Sequence, residues 1–245
     1  MRVSAAHRRL PQVAVRHWVL VPPPRWARAL PREPIVARSF RRAVVQRVVA
    51  AIERRACREL GHDRGKAGAM AVLHSVGSDL RPRAHIHVIA TDGVFVAAAH
   101  GPASFVPLLA PFEAGELREL ARIVRSEASK AVRDPAPTPR PTPGVRVAGE
   151  RPASRPRGTV AKVRGAEVFM GSRIEAHDRR GSESLTAYVL RSPLHPSSVR
   201  AVEKDVVELR LRDPAPDGAV AVQLPKSAFE ARVRAMVEGE AARLG

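Results

Sequence analysis

Cysteine and tyrosine are almost absent from this sequence: its 245 residues include one Cys, Cys57, and one Tyr, Tyr188, and aromatic residues make up only 4%. A single cysteine excludes a disulfide within the chain and any zinc cluster built on several cysteines. This cysteine usage is typical of reducing compartments, so we expect a cytoplasmic protein. With 44% hydrophobic residues, the chain can bury a sizeable core, which argues against a disordered polymer.

Long apolar runs are also missing. Residues 93–112 contain no Asp, Glu, Lys or Arg, but the run is interrupted by Gly101, Pro102, Pro107 and Pro111. These residues would break a lone helix in lipid, so we predict strands and loops there and no membrane span. The N-terminal arginines are not followed by a continuous apolar core, so we expect no signal peptide.

Acidic residues are scarce relative to basic ones: 24 Asp plus Glu stand against 42 Lys plus Arg, a formal charge of +18. Only five of the basic residues are Lys, which fits a GC-rich coding sequence but does not explain the excess of base over acid. Residues 1–60 contain 14 Arg and 3 Glu, a net +11. So much uncompensated positive charge favours a polyanionic partner, with nucleic acid first.

Apolar periodicity predicts two helices in the first half of the chain. Apolar residues recur every four positions within residues 37–60, which predicts an amphipathic helix with a basic outer face, ended by Gly61. A second helix is predicted over residues 113–132. The apolar stretch 13–21 is flanked by prolines and is either a strand or an extended docking segment.

Between these helices the sequence predicts an antiparallel meander of three strands, over residues 69–76, 84–90 and 94–98. The loop 77–82 would join the first two strands. Asp92-Gly93 is a strong signal for a two-residue hairpin turn between the second and the third.

The composition divides the chain into three parts: 1–133, a basic segment and the sheet; 134–157, a linker; and 158–245, a β/α segment completing the same domain. The linker assignment rests on seven prolines within residues 135–156, which argue against regular structure. Downstream, the sequence predicts strands near 160–163, 167–170, 206–211 and 219–224 and helices near 183–191 and at the C-terminal end.

Two histidines share one face of a predicted strand. The alternation of side chains along a strand places His85 and His87 on one face, with Ile86 and Val88 on the other. This spacing allows both imidazoles to bind one metal ion. A lone His-x-His is a weak signal, because two strand histidines can equally be partly solvated side chains.

The only tyrosine lies in a predicted helix. One turn away from Tyr188 lie Leu185 and Arg191, which puts the phenol at the border between an apolar and a basic face. Without other information, a half-buried aromatic ring with a solvated hydroxyl is the simpler interpretation.

Several segments together resemble a known family. They are the opening Val13-Ala-Val-Arg-His-Trp-Val-Leu, then Gly77-Ser-Asp-Leu, His85-Ile-His87, Asp92-Gly-Val-Phe-Val, Phe105-Val-Pro-Leu, and Asp178-Arg followed by Glu183-Ser-Leu-Thr-Ala-Tyr188-Val-Leu-Arg-Ser-Pro-Leu194. In this order they are similar to rolling-circle insertion-sequence transposases of the HUH (His-hydrophobic-His) endonuclease superfamily, over most of residues 12–132 and 158–238. The combination carries the resemblance, since each motif alone is modest.

The resemblance implies an α+β fold in which helices flank an antiparallel sheet that carries the histidine pair. It implies that His85 and His87 are metal ligands and that Tyr188 attacks single-stranded DNA at the element ends, leaving a 5′-phosphotyrosine and a free 3′-hydroxyl. The third ligand of this family is a polar side chain from a neighbouring element. His74 is the first candidate for it and Asp178 the second.

The chemistry is consistent with these roles. A free tyrosine has a pKa near ~10 and is a poor nucleophile, so a cation that stabilises developing negative charge is needed. We expect Mg²⁺ or Mn²⁺, with Mn²⁺ better matched to nitrogen ligands. Arg191, Arg179 and Arg180 are candidate DNA phosphate ligands, although each is equally well explained as a solvated surface charge.

Two departures from the family pattern matter for function. The cysteine-rich zinc module common in the family has no counterpart, and Ser192 stands where a second tyrosine would lie, which matches the single-tyrosine branch. The alternative is therefore a truncated, inactive remnant that acts only as a basic DNA-binding protein. A relative acting in plasmid replication or transfer is a third option.

Overall fold

The computed structural model describes residues 11–61, 63–133, 135, 143–149, 158–212, 215 and 217–244, with side chains in the last helix up to residue 237. Among these residues, five strands form the main sheet, in the order β2-β3-β1-β8-β7 with every neighbouring pair antiparallel. The strands are β1 (Val15–Val21), β2 (Ala69–Val76), β3 (Pro82–Thr91), β7 (Gly158–Val163) and β8 (Ala166–Ile174). The stretch at 13–21 is therefore the central strand and not a docking segment.

Three helices cover one face of this sheet: α1 (Pro24–Ala29), α2 (Pro34–Leu60) and α3 (Ala114–Ala131). The main hydrophobic core lies between this face and α2 and α3, and includes Trp18, Phe40, Ile86, Leu117 and Val168. The prediction of an α+β fold with an antiparallel sheet flanked by helices is thereby confirmed. None of the described helices combines the length and the hydropathy that a membrane span requires.

A second antiparallel sheet is formed by strands from the C-terminal part of the chain. Its order is β6-β11-β10-β9, with β6 (Val145–Ala148), β9 (Val199–Glu203), β10 (Val206–Arg210) and β11 (Ala219–Pro225). The last helix, α5 (Lys226–Leu244), follows β11 directly. Met236 of this helix packs with Leu209, Val76 and Leu80, so a small core joins the second sheet to the end of β2.

The linker prediction needs a correction. Residues 145–148 form strand β6, which pairs with β11 in the register Val147↔Ala221. The prolines flank this segment and do not occupy it, so its β-branched valines complete the edge of the sheet. Residues 135, 143, 144 and 149 are described and lie outside any strand or helix, whereas linker positions 134, 136–142 and 150–157 lie outside the described residues.

The predicted hairpin at Asp92-Gly93 is wrong. Strand β4 (Gly93–Val96) pairs with β5 (Ser104–Pro107) and not with β3. Asp92 is only 2% exposed, and its carboxylate accepts hydrogen bonds from the guanidinium groups of Arg16 and Arg173. The residue pair therefore marks a buried ion network that crosses from β1 to β8, because a buried carboxylate needs charged partners.

The glycine of this pair is required by a close backbone approach. A Cβ at Gly93 would lie 2.7 Å from the Cα of Pro107 and also against the carbonyl oxygen of Val106. Both atoms belong to the β5 backbone, which cannot move aside as a flexible side chain can.

We predict that Gly93→Ala lowers the free energy of unfolding by about 1–3 kcal/mol, because the added methyl group overpacks the β4–β5 pair. Urea midpoints measured at neutral pH would show the loss. The matched control is Gly115→Ala in α3, where the new Cβ meets nothing within 4 Å, and this variant should be as stable as the wild type or slightly more stable. Equal midpoints for Gly93→Ala and wild type would contradict the packing argument.

Candidate active site

The face of the main sheet opposite α2 and α3 carries a cluster of imidazoles. His74 of β2 lies directly opposite His85 of β3, and His87 stands two residues further along the same face. One ligand nitrogen from each of these three histidines lies within 4.8 Å of the other two. The structure therefore groups all three residues that the sequence named as metal ligands.

A fourth histidine belongs to this cluster, and sequence reasoning missed it. His17 of β1 lies beside His87: its Nε2 is 2.9 Å from Nδ1 of His87, and the two rings are stacked with centroids 5.1 Å apart. The alternation along β1 shows which residues share a face with His17. The register of β1 against β3, in which His17 pairs with Ile89, shows that His17 and His87 lie on the same face of the sheet. No local pattern in the sequence predicts that register.

Backbone carbonyls orient two of the rings. The Nε2–H of His74 donates to the carbonyl of Val189 at 2.9 Å, which leaves Nδ1 as the nitrogen that can bind a metal ion. The Nδ1–H of His85 donates to the carbonyl of Arg83 at 2.9 Å, so its lone pair resides on Nε2. Such outer hydrogen bonds fix the tautomer and direction of a ligand histidine.

Three rings of the cluster, those of His17, His85 and His87, are held in their neutral form. Burial lowers the pKa of His17 to about 4, with a further contribution from the positive charge of Arg212. Burial also lowers the pKa of His85 to about 4, although its hydrogen bond to Arg83 acts in the opposite direction. The pKa of His87 is lowered as well, chiefly by burial and then by the neighbouring histidines. Neutral imidazoles are the form that binds metal ions.

Tyr188 lies against this cluster. It is part of α4 (Arg179–Leu190), which docks on the histidine face by packing Val189 against Val15 and Ile89. The Tyr188 ring meets the rings of His17 and His87 edge-on, with both centroid distances 5.7 Å. The side chain is 36% exposed. A candidate nucleophile thus stands between solvent and the imidazoles.

The other candidate site residues, an aspartate and three arginines, lie at the two ends of α4. Asp178 is the N-cap, and its carboxylate accepts a hydrogen bond from the backbone N–H of Gly181 at 2.8 Å. Asp178 therefore caps the helix, while His74 lies with the histidine pair. Arg179 and Arg180 are exposed in the first turn, where Arg179 pairs with Glu183 at 3.2 Å. Arg191 follows the last turn, at the Tyr188 end.

A second residue that sequence reasoning missed is Arg212, which follows β10. Its guanidinium carbon lies 3.7 Å above the centre of the Tyr188 ring, and its Nη2 donates to the Tyr188 carbonyl at 2.7 Å. Because Arg212 is 24 residues beyond Tyr188 and lies after a strand of the second sheet, no spacing pattern connects the two.

Comparison with known proteins identifies a family. Residues 68–243 match the model of the family Y2_Tnp, described as "Putative transposase". This segment contains His74, His85, His87 and Tyr188, whereas His17 lies before it. No curated protein and no solved structure matches the chain.

We predict that the metal-free protein loses stability as the pH falls from about 6.5 to about 4. Over this range, unfolded histidines with the ordinary pKa of 6.5 take up protons, while His17 and His85 in the folded state do not. The folded pKa values are the lower ones, so the free energy of unfolding should be highest above pH 6.5. For His17 the difference corresponds to about 3 kcal/mol across the range.

Urea unfolding in EDTA at several pH values tests this. His17→Gln should flatten the profile, while His100→Gln, at an exposed position in the loop after β4, should leave it unchanged. An identical profile for His17→Gln and wild type would show that the cluster does not contribute to the pH dependence.

Proposed function

This chain belongs to the transposase family Y2_Tnp, and we propose that it is a metal-dependent, single-tyrosine enzyme that nicks and rejoins single-stranded DNA in rolling-circle transposition. Transposases cut and rejoin DNA, so DNA is its partner. The observation that carries the finer proposal is the contact of the Tyr188 ring with His87 and His17, whose ring centroids each lie 5.7 Å away. The resemblance to HUH endonucleases supports the same assignment.

In the proposed reaction, the Tyr188 oxygen attacks a phosphorus of the DNA backbone. The new bond joins the phenol oxygen to phosphorus, and the bond from phosphorus to the 3′ oxygen breaks. The phenol loses one proton and the 3′ oxygen gains one, which gives a 5′-phosphotyrosine and a free 3′-hydroxyl. Attack by a 3′-hydroxyl reverses the step and rejoins the strand. The exposure of Tyr188 on α4 leaves room for the DNA to approach.

The donor set fits a divalent transition metal. His74, His85 and His87 would hold the ion through three imidazole nitrogens that already converge within 4.8 Å. Such a set favours Mn²⁺ over Mg²⁺, which prefers oxygen ligands. When bound, the ion acts as a Lewis acid on the phosphate oxygens and orients the scissile bond.

His17 and the arginines would act around this centre. His17 contacts Nδ1 of His87 and so positions that ring without being one of the three grouped ligands. Arg191 would contact a phosphate near the scissile bond. Arg179 and Arg180, three turns earlier on α4, would contact the strand further away.

We predict a covalent adduct when the protein is incubated with Mn²⁺ and a labelled pool of random-sequence single strands. Denaturing gels should show the adduct with wild type, and peptide mapping should locate it on Tyr188. It should be absent with Tyr188→Phe and with the His85→Ala, His87→Ala double variant. The same sequences as duplexes serve as the control. Folded wild-type protein that forms no adduct with any strand would refute the proposal and favour a noncatalytic DNA-binding protein.

Calorimetric titration with Mn²⁺ tests the ligand set independently of activity. We predict that His74→Ala weakens Mn²⁺ binding more than His17→Gln, for which a loss of roughly 10–100-fold is expected because only the orientation of His87 changes. Asp178→Asn, which can still cap α4, and His100→Ala, at an exposed site, should bind Mn²⁺ like wild type. Equal losses for Asp178→Asn and His74→Ala would overturn the assignment of His74 as third ligand.

A further inference from the structure

A cleft of about 280 Å³ opens beside the C-terminal end of α4. Three parts of the chain form its walls: the turn after β2, the segment that follows α4, and the end of β10 with the residues after it. The side chains that matter for its chemistry are Ser78, Arg191, Ser192, His195, Arg210 and Arg212. Of these, only Arg191 is a candidate DNA ligand on sequence grounds.

The cleft is strongly basic. It is lined by three arginines, and none of the lining residues that the structure describes is Asp or Glu. Two acidic residues adjoin lining residues in the chain: Asp79 follows Ser78 and pairs with Arg81 at 3.3 Å, and Asp213 follows Arg212 and lies outside the described residues. Planar guanidinium groups and serine hydroxyls are donors that suit the oxygens of a phosphate group.

The cleft is coupled to the candidate nucleophile through Arg212. One of its five N–H donors goes to the Tyr188 carbonyl, and the guanidinium plane stacks on the Tyr188 ring. Arg212 also lines the cleft, so one guanidinium group belongs to both the cleft and the surroundings of the tyrosine. Arg191 and Ser192 follow the last turn of α4, within one turn of Tyr188. A phosphate held there would lie next to the tyrosine.

We propose that this cleft binds a backbone phosphate of single-stranded DNA adjoining the bond that Tyr188 attacks. The proposal rests on the proposed function, and it assigns DNA binding to Arg210 and Arg212 in addition to Arg191. Binding of one phosphate here would fix the strand relative to Tyr188, because Arg212 contacts the tyrosine directly. The expected ligand is thus a phosphodiester and not a free nucleotide.

Binding of fluorescent single-stranded oligothymidylate, measured by anisotropy in EDTA over a series of salt concentrations, tests the proposal. Arg210→Ala and Arg191→Ala should each weaken binding by roughly tenfold. Each should also reduce the slope of log K against log salt by about 0.7, the value for one phosphate contact on a single strand. Both side chains are exposed, so these variants should fold, and urea midpoints check this.

The matched control is Arg118→Ala, an exposed arginine on α3 at the opposite face of the sheet. It should leave both the affinity and the slope unchanged. Equal losses for Arg118→Ala and the cleft variants, or no loss in the cleft variants, would overturn the proposal. The proposal would also be overturned if inorganic phosphate, at constant ionic strength, competed as well as unlabelled oligothymidylate. The cleft would then be a site for free phosphate.

EDTA prevents metal-dependent chemistry, so this experiment does not depend on whether an adduct forms. If no adduct forms but the cleft variants still weaken DNA binding, only the transposase mechanism is refuted. If an adduct forms on Tyr188 but the cleft variants bind DNA like wild type, only the proposal of phosphate binding in the cleft is refuted.

Discussion

The backbone register of β2, β3 and β1 is the constraint on which the candidate site depends. The pairing His74↔His85 and the pairing His17↔Ile89 bring imidazoles from three strands to one face of the sheet. Because side chains alternate along a strand, a slip of one residue would move a histidine into the hydrophobic core on the other face. Ile86 lies between the two histidines of β3 and Val88 follows them, and both belong to the hydrophobic core. They prevent such a slip, since they must stay buried against the helices.

A cluster of histidines in a largely buried position is costly unless the rings are neutral and hydrogen-bonded. Burial lowers the pKa of His17, His85 and His87, and all four rings are hydrogen-bonded. The rings of His74 and His85 donate to backbone carbonyls, and His17 and His87 bond to each other. The acceptor for His74 belongs to Val189 in α4, so the helix that carries Tyr188 also orients a candidate ligand. The docking of α4 thereby ties the position of the candidate nucleophile to that of the candidate metal site.

Local patterns in the sequence predicted the parts of the structure that depend on local geometry. The four-residue periodicity of α2 and the alternation around His85 and His87 were both sufficient, because helix and strand faces follow directly from spacing. Errors and omissions arose where distant segments meet. Asp92 looks like a turn residue until Arg16 and Arg173 are placed beside it. Strand β6 forms by pairing with β11, His17 joins the cluster through the pairing of β1 with β3, and Arg212 contacts Tyr188 of α4. No local pattern in the sequence indicates these partners.

The central claim is that the histidine cluster holds a divalent ion beside Tyr188. Diffraction from crystals grown with Mn²⁺, recorded on both sides of the manganese absorption edge, tests it most directly. The account predicts one strong anomalous peak among Nδ1 of His74, Nε2 of His85 and the ring of His87, adjacent to the Tyr188 side chain. The account would be contradicted if the manganese peak lay elsewhere and the four imidazoles, in the same arrangement, held no ion.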